Sequence, residues 1–387
     1  MPRILLMRVS CWINPLTFFP FIPILSRAPF KREKLVKYPV KTGSEPLPAP
    51  KPLGFETVAA LADALGLTQD DLARITALNQ HYHCFDVPKR SGGTRRICIP
   101  PEELKRVQRK LLDVSLGLLP TFRCVHGGKR GRGHVSHAYA HRKADSLFSL
   151  DVMNAFGSTT PQHVRDALRA TNLYSDSCID VIIELTMHEG CLPQGAPTSN
   201  ALWSAACHAL DYRLLAFAKA HGLTYTRYVD EFVFSRQRPK IKPSTRQRIM
   251  RIIELDGFRL HPEKIRYQER VHGDLEVTGI KIGAYRLPRI VLPQRKNLHL
   301  GKRQIEELRA FLHHALHDTS ITRETVEGRL GTIRQINKLF YAGDGRPTPY
   351  GLPKRLYRLY AALRYARGWD RGTTVPFSWL ADGDSAG

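Results

Sequence analysis

Alternating apolar and polar residues mark several strands in the middle of the chain. Residues 146–151 and 224–235 are rich in aromatic and β-branched residues, and the second stretch predicts a hairpin whose tip carries Asp230 and Glu231. Residues 85–99 predict a strand, a basic Gly-Gly turn and a second strand, followed by an amphipathic helix from about Glu102. The simplest explanation of the acidic tip is a solvated turn, since Asp is a common turn residue.

Helical patterns lie on either side of these strands. Residues 55–76 predict two short helices broken at Gly66–Thr68, with the sequence TQDD capping the second helix. Such pairs are common in helical subdomains, so a DNA-reading role for this segment is the less favoured interpretation. Residues 190–222 predict a Gly/Pro-rich turn that leads into a long apolar helix, and residues 297–387 predict mostly amphipathic helices that carry Lys, Arg and Tyr.

The first 54 residues have a different character. Prolines at 15, 20 and 23 interrupt an apolar start, so no uninterrupted run reaches the ~20 residues that span a bilayer. Residues 38–54 are Pro-rich and predict an extended linker. We interpret the apolar start, residues 1–25, as a tail packed on the body or as an upstream mis-start rather than an export signal, and residues 1–54 together as a tail and linker.

The charge balance indicates the class of partner. The 387 residues, enough for two or three subdomains, include 59 Lys+Arg against 35 Asp+Glu, a net charge of +24. Such an excess is typical of proteins that hold a polyphosphate backbone, although a membrane-surface protein can share it. The seven cysteines are scattered without a CxxC pair, which predicts neither a zinc ribbon nor a disulfide framework and favours a reducing cytoplasm.

Two basic glycine-containing loops are candidates for phosphate binding. The turn PKRSGGTRRI carries Lys89 and Arg95 on either side of two glycines, which let the backbone approach a triphosphate while the cations cover its oxygens. A solvated basic turn explains the same residues. The loop HGGKRGRGH at 126–134 lacks the GK[ST] ending of a nucleotide-binding P-loop, so contact with a nucleic-acid backbone suits it better.

A third carboxylate changes the interpretation of the acidic hairpin. Asp151 ends the strand predicted at 146–151, and it faces Asp230 and Glu231 if the two segments pair. Converging carboxylates repel one another and lose hydration, and a pair of divalent metals relieves both penalties. Two metals held in this way form the clamp used for in-line phosphoryl transfer.

Six sequence motifs resemble those of reverse transcriptases, and in particular of the bacterial retron type. In chain order they are PKRSGGTRRI, LDVMNAF, LPQGAPTS, RYVDEFVFS, HPEKIR and VTGIKIG, within roughly residues 80–290. The VTG triplet is a retron-like mark, and HAYAH at 137–141 resembles the NAxxH element of that family with His137 in place of the Asn. The resemblance implies an α+β right-hand polymerase: a tail at 1–54, fingers and an antiparallel-sheet palm at 55–290, and a helical, duplex-binding thumb at 291–387.

The resemblance also implies a metal site. Asp151, Asp230 and Glu231, with the backbone carbonyl of Val152, would hold two Mg²⁺ ions, which prefer hard oxygen ligands. Lys264 in HPEKIR would donate a proton to the departing pyrophosphate, although a plain surface lysine is an equal alternative. The family has Asp where this chain has Glu231, so we expect activity to be weakened but not abolished.

The nucleotide site follows from the same resemblance. Lys89 and Arg95 would hold the triphosphate, and Gln194 and Gly195 would line the pocket for the incoming dNTP and the template. Phe156, expected at the start of a helix, would exclude a 2′-hydroxyl by packing under the sugar.

The implied function is an RNA-directed DNA polymerase that copies part of a structured noncoding RNA into single-stranded DNA and acts in phage defence with an effector protein. No membrane partner is expected. The alternatives are a weak or inactive polymerase fold that serves as an RNA-binding scaffold, and a reverse transcriptase of the group II intron or abortive-infection type. His137 and His141 suggest zinc by their spacing, but structural hydrogen-bonding histidines are favoured because no third ligand accompanies them.

Overall fold

The computed structural model describes residues 54–89, 92–283, 298–341 and 354–369. They all lie in one structural unit of the chain. The predicted tail at 1–54, apart from Gly54, and the predicted boundary near residue 290 lie outside this description. No helix within the described ranges is long and apolar enough to cross a membrane.

The amino-terminal part of the described chain is a small helical cluster, as the sequence predicts. Helix α1 spans Val58–Leu65 and helix α2 spans Gln69–Ala77. Gly66 ends α1 in the left-handed conformation, and the Thr68 side chain and the Asp71 carboxylate form the reciprocal cap of α2. Helix α3, Glu102–Val114, packs against both, with Leu104 and Leu111 fully buried.

A two-stranded hairpin lies between α2 and α3 in the sequence. Strands β1, His83–Pro88, and β2, Thr94–Ile99, pair in antiparallel register. Cys84 lies directly opposite Cys98, and the two form a disulfide. The prediction that the cysteines show no disulfide is therefore wrong for this pair, because strand pairing brings together two residues that no local spacing rule connects.

A four-stranded antiparallel sheet forms the centre of the described chain. It consists of β3, Ser146–Asp151, β4, Thr224–Tyr228, β5, Glu231–Arg236, and β6, Arg266–Glu269, in the order β4-β5-β3-β6. The surrounding helices are α4, His134–Ala140, α5, Pro161–Arg169, α6, Asp176–Thr186, α7, Ser199–Ala206, α8, His208–Ala220, and α9, Pro243–Leu255. The long helix predicted after residue 190 is divided at Cys207 into α7 and α8.

Both faces of the central sheet are buried, as the alternation of side chains along its strands requires. Phe148 and Phe234 point into the larger core, which also contains Trp203 and the helices around it. Leu147 and Val233, on the opposite face, pack with α4 and a second sheet. That sheet consists of β7, Leu275–Val277, β8, Ile280–Ile282, and β9, Leu298–Leu300.

Three helices complete the described chain. They are α10, Lys302–His317, α11, Arg323–Tyr341, and α12, Lys354–Ala366, and they share a separate core that includes Leu312, Leu330 and Tyr360. The sequence predicted these helices but assigned residues 298–300 to the first of them, whereas these residues pair with β8 as a strand. The α+β fold class is confirmed.

Candidate active site

The acidic residues lie where two neighbouring strands meet a tight turn. Tyr228 and Glu231 are paired across the β4–β5 hairpin, and Val229 and Asp230 form the two-residue turn between them. In the register of β3 with β5, Asp151 lies directly opposite Glu231. The structure therefore brings together the three carboxylates that the sequence singled out.

The turn itself has an unusual backbone. Val229 has a φ of 55°, a left-handed conformation that is rare for a β-branched residue. Its carbonyl accepts hydrogen bonds from the Trp203 indole nitrogen at 2.8 Å and from Arg227 Nη1 at 2.9 Å. Such a conformation persists only where the surroundings enforce it, and it is often found at functional sites.

Arg227 connects this turn to the core. Its guanidinium is fully buried and pairs with the buried carboxylate of Asp211, at 2.9 Å from Nε to Oδ1 and 2.7 Å from Nη2 to Oδ2. The hydroxyl of Tyr225 donates to the same carboxylate at 2.6 Å. A buried pair with this many hydrogen bonds fixes the direction of the guanidinium, and through it the Val229 carbonyl.

The loop at 126–134 supports the turn from outside. A Cβ placed on Gly127 would lie 2.5 Å from the Val229 nitrogen, so only glycine fits there. Lys129 donates to the carbonyl of Leu119 at 3.3 Å, and Arg132 donates to the carbonyl of Val125 at 2.8 Å. These two cations therefore tie the loop to the segment that precedes it, and the contact of this loop with a nucleic-acid backbone stays a prediction.

The carboxylates of the hairpin are half-buried, and this raises their proton affinity. Burial raises the pKa of Asp230, and the negative charge of Asp151 raises it further, while the charges of Lys264 and Arg95 act in the opposite direction. Burial also raises the pKa of Glu231, and a hydrogen bond from Thr278 lowers it in part. The charged forms of these two carboxylates are therefore costly here, mainly because they are removed from water.

Lys264 lies beside the acidic residues, as predicted. It is the last residue of the short 3-10 helix Pro262–Lys264, and its Nζ donates to Asp151 Oδ1 at 2.8 Å. The backbone nitrogen of Val152 donates to the Asp230 carbonyl at 3.1 Å, which ties the end of β3 to the turn. Asp151, Val152, Asp230 and Lys264 therefore form one local group.

Glu231 has a partner that sequence reasoning missed. The Thr278 hydroxyl, in the VTG triplet, donates to Glu231 Oε2 at 3.0 Å. The same hydroxyl lies 2.7 Å from His137 Nδ1. The triplet was noted as a family mark, yet nothing in its sequence indicated that it reaches the acidic hairpin of Asp230 and Glu231.

The two histidines of HAYAH have structural roles, as favoured from the sequence. His141 lies between two strands of the sheet, with Nδ1 2.7 Å from Ser235 Oγ and Nε2 2.6 Å from Thr226 Oγ1. Burial, followed by the charge of His126, lowers the pKa of His141 to about 3, so this ring is neutral at ordinary pH. Helix α4 thus braces the hairpin from behind.

The predicted nucleotide-binding loop contacts the β1–β2 hairpin. The Gln194 carbonyl accepts from the Cys98 nitrogen at 2.9 Å, and a Cβ on Gly195 would lie 2.7 Å from the Cys98 oxygen. The carbonyl of Phe156 accepts from Leu192 at 3.2 Å, which joins the turn after β3 to the same loop. Phe156 is half-buried and lies in this turn; the prediction that it starts a helix is wrong, since α5 begins at Pro161.

The two predicted triphosphate ligands differ in their placement. Arg95, opposite Val87 in the hairpin, is exposed, and its charge acts on Asp230. Lys89 is exposed at the hairpin turn, where its backbone nitrogen donates to the Gly93 carbonyl at 2.9 Å. The structure places Arg95 within electrostatic reach of the acidic residues and gives no such contact for Lys89.

The donor set fits a hard divalent cation. Asp151, Asp230 and Glu231 supply carboxylate oxygens, the ligand type that Mg²⁺ prefers, and their half-buried charge favours ionic compensation. Their oxygens are not all within 4.8 Å of one another among the residues described. Glu231 accepts a hydrogen bond from Thr278, and Asp151 accepts one from Lys264.

Comparison with known proteins identifies reverse transcriptases as relatives of this chain. Residues 87–286 match the family described as reverse transcriptase (RNA-dependent DNA polymerase). The retron Mx162 reverse transcriptase of Myxococcus xanthus is 33% identical over 309 residues, which cover 67% of this chain and 64% of the relative. The retron Mx65 reverse transcriptase of the same organism is 30% identical over 302 residues, which cover 73% of this chain and 68% of the relative.

The similarity to solved structures is weaker. Telomerase of Candida albicans, in complex with a fragment of telomeric RNA, has a TM-score of 0.39 at 12% identity and covers 75% of this chain and 61% of its own. Telomerase of Candida tropicalis, also in complex with a telomeric RNA fragment, has a TM-score of 0.42 at 12% identity and covers 80% of this chain and 67% of its own.

Proposed function

Because this chain belongs to the reverse transcriptase family, in its bacterial retron-type branch, we propose that it is an RNA-directed DNA polymerase that extends a primer by nucleotidyl transfer. The observation that carries the proposal is the register that sets Asp151 opposite Glu231, with Asp230 in the adjoining turn. Carboxylates gathered in this way, next to a lysine and an arginine, suit the handling of a triphosphate.

The metal ligands in this proposal are Asp151, Asp230, Glu231 and the carbonyl of Val152, and the ions are two Mg²⁺. When bound, such ions activate the primer 3′-hydroxyl and neutralise charge on the phosphates. Lys264, whose ammonium lies 2.8 Å from Asp151, donates a proton to the pyrophosphate oxygen that leaves.

The nucleotide in this proposal is a dNTP. Arg95 and Lys89 bind its triphosphate, and the loop of Gln194 and Gly195, packed on the β1–β2 hairpin, lines the base and template side. Phe156 lies between β3 and that loop, where its ring excludes a 2′-hydroxyl. The half-buried ring is packed against the main core, which limits its freedom to move away.

The partners are assigned at the level of the whole chain. We propose that a structured noncoding RNA is the template and that α10, α11 and α12 contact it and its RNA/DNA duplex product. Exposed cations on these helices, such as Arg303 and Arg309, support this role. Phage defence in the cytoplasm, together with an effector protein, is the corresponding biological role.

The test is primer extension by Asp230→Asn with Mg²⁺, dNTPs and an RNA template. Removal of one ligand charge abolishes extension, whereas thermal stability and RNA affinity stay near those of the parent protein. Asp113→Asn, an exposed aspartate on α3, is the matched control and keeps the parent rate. Extension by Asp230→Asn at the parent rate would refute the proposal.

One observation favours a second function. The chain has Glu231 where the family has Asp, and Thr278 holds that carboxylate, which is compatible with a weak or inactive polymerase that serves as an RNA-binding scaffold. No detectable extension by the parent protein, together with a specific RNA that copurifies with it, would establish this second function. Sequencing that RNA also distinguishes a retron partner from an intron or abortive-infection system.

A further inference from the structure

A group of soft ligands lies away from the acidic residues. The sulfurs of Cys84 and Cys98 and a ring nitrogen of His188 all lie within 4.8 Å of one another. Cys84 and Cys98 are opposed on β1 and β2, whereas His188 follows α6 in the turn that ends at Cys191. Two segments separated by about 90 residues thus supply one cluster.

The tautomer of His188 follows from its hydrogen bond. Nδ1 lies 2.9 Å from the carbonyl of Asn79, which only accepts, so Nδ1 carries the hydrogen and Nε2 carries a free lone pair. The ring also stacks on Tyr82 with a centroid separation of 4.4 Å. Histidines that bind metals are usually oriented in this way, with the second nitrogen donating to a carbonyl or carboxylate.

The surroundings of the cluster are firmly connected. The Asn79 side chain donates to the carbonyls of Glu184 and Met187, which fixes the segment that orients His188. His188 and Cys191 exchange backbone hydrogen bonds of 2.9 and 3.1 Å across their turn. Preorganised ligands of this kind lower the entropic cost of binding an ion.

We propose that Cys84, Cys98 and His188 bind one zinc ion when the two thiols are reduced, and that the disulfide is the metal-free, oxidised form of the same site. Two thiolates and an imidazole are ligands that zinc prefers over magnesium. The proposal does not depend on the polymerase function, because it involves none of the acidic residues.

The two forms interconvert by a balanced reaction. The disulfide takes up two electrons and two protons to give two thiols, and a dithiol reductant that supplies them closes to its own disulfide. Zinc then displaces one proton from each thiol as the thiolates bind. Rotation of the cysteine side chains must separate the sulfurs to ~3.8 Å, as Zn–S bonds of about 2.3 Å in a tetrahedral site require.

The fourth position is open to water. The His188 side chain is 13% exposed, and it borders a surface cavity that is also lined by Asn79, Gln80 and Glu189. A site with three protein ligands and a water is a common arrangement for zinc. Zinc here would tie the β1–β2 hairpin to the turn that leads into the Gln194 loop.

The test measures zinc bound to the full chain. The protein is first reduced with a phosphine: the disulfide, the phosphine and one water molecule give two thiols and the phosphine oxide. The reduced protein is freed of metal and incubated with zinc, and the bound metal is quantified by mass spectrometry. One zinc per chain is expected after reduction and almost none after oxidation with a diazene reagent. Cobalt in place of zinc should give thiolate-to-metal charge transfer and the intense visible bands of a tetrahedral site.

Single variants localise the ion. Cys84→Ala, Cys98→Ala and His188→Gln are each expected to weaken zinc binding at least ~100-fold, since loss of an outer hydrogen-bonding partner alone weakens it 10- to 100-fold. Cys178→Ala removes a buried cysteine of α6 outside the cluster and is expected to retain parent affinity. Less than a tenth of a zinc per reduced chain, or parent affinity in a correctly folded His188→Gln, would overturn the proposal.

Discussion

The Glu231 carboxylate accepts a hydrogen bond from a hydroxyl in the turn between two strands of the other sheet. Thr278, between β7 and β8, donates to it at 3.0 Å, and His137 on α4 lies 2.7 Å from the same hydroxyl. An aspartate at position 231 would withdraw the carboxylate by one carbon–carbon bond, about 1.5 Å, and would lose this contact. The chain His137–Thr278–Glu231 is therefore suited to the longer acid.

We expect Glu231→Asp to lower the rate of primer extension by about 10-fold, because a misplacement on the order of 1 Å reduces rates by up to ~10². Thr278→Val should lower it to a similar degree, since it leaves the same carboxylate unheld. The double variant should be hardly slower than either single one, because both changes remove one interaction. Single-turnover rates across a Mg²⁺ titration measure this, and a faster Glu231→Asp enzyme would show that Glu231 impairs the site.

The loop before α4 lies in close steric contact with the turn. A Cβ on Gly127 would come within 2.5 Å of the Val229 nitrogen and 2.7 Å of its Cγ2, whereas one on Gly133 would find its nearest atom at 3.9 Å. Gly127→Ala should displace the strained turn and reduce extension at least ~10-fold, with far-ultraviolet circular dichroism unchanged. Gly133→Ala, in the same loop, is the matched control; equal rates for the two variants would contradict the proposed support of the turn.

The buried, neutral His141, which follows the last residue of α4, makes the fold sensitive to acid. The folded-state pKa of His141 is about 3, below the 6.5 of an unperturbed histidine. Below pH 6.5 the unfolded chain binds a proton that the folded chain does not, so stability is complete above that pH and falls towards pH 3. This residue contributes a slope of at most ~1.4 kcal/mol per pH unit.

His141→Gln should therefore flatten the dependence of the unfolding free energy on pH in that range. The variant is also expected to be less stable at pH 8, because glutamine cannot bridge Thr226 and Ser235 in the same geometry. Urea unfolding at several pH values measures separately the pH dependence of the unfolding free energy and the loss of stability at pH 8. His126, whose pKa is lowered to about 4, keeps titrating in both proteins, so a residual slope is expected; an unchanged slope would count against a neutral His141.

At the scale of the whole molecule, the net charge of +24 dominates encounters with RNA. Neutralisation of ~6–10 phosphates should reduce RNA affinity by about 10³–10⁵ between 50 and 200 mM salt. Filter binding or anisotropy at fixed pH measures the slope of the logarithm of RNA affinity against the logarithm of salt concentration. Arg130 is an exposed cation of the 126–134 loop, and Arg130→Gln should make this slope shallower by about 0.9. An affinity that does not respond to salt would contradict the interpretation of the charge.

The sequence predicted the elements whose signals are local. The capping box of Thr68 and Asp71 and the hairpin around Asp230 agree with the structure. The long-range pairing of Asp151 with that hairpin was only a condition of the sequence interpretation, and the register of β3 with β5 meets it. The contacts it did not predict depend on register between distant segments. The Thr278–Glu231 bond joins residues 47 apart, and the Cys84–Cys98 pair depends on which residues of β1 and β2 are opposed.

The strand order of the central sheet also determines when this site can exist during synthesis. Asp151 and Glu231 are neighbours in space but about 80 residues apart in sequence, and β3 has both its partners, β5 and β6, downstream of it. A ribosome that has released β3 must translate several more helices before either partner emerges. Until then the apolar faces of β3 are exposed without an edge partner, a typical starting point for aggregation. The yield of folded protein on overexpression should therefore depend on how fast the ribosome translates the segment from β3 to β5. It should also depend on chaperones that cover β3 until its partner strands emerge.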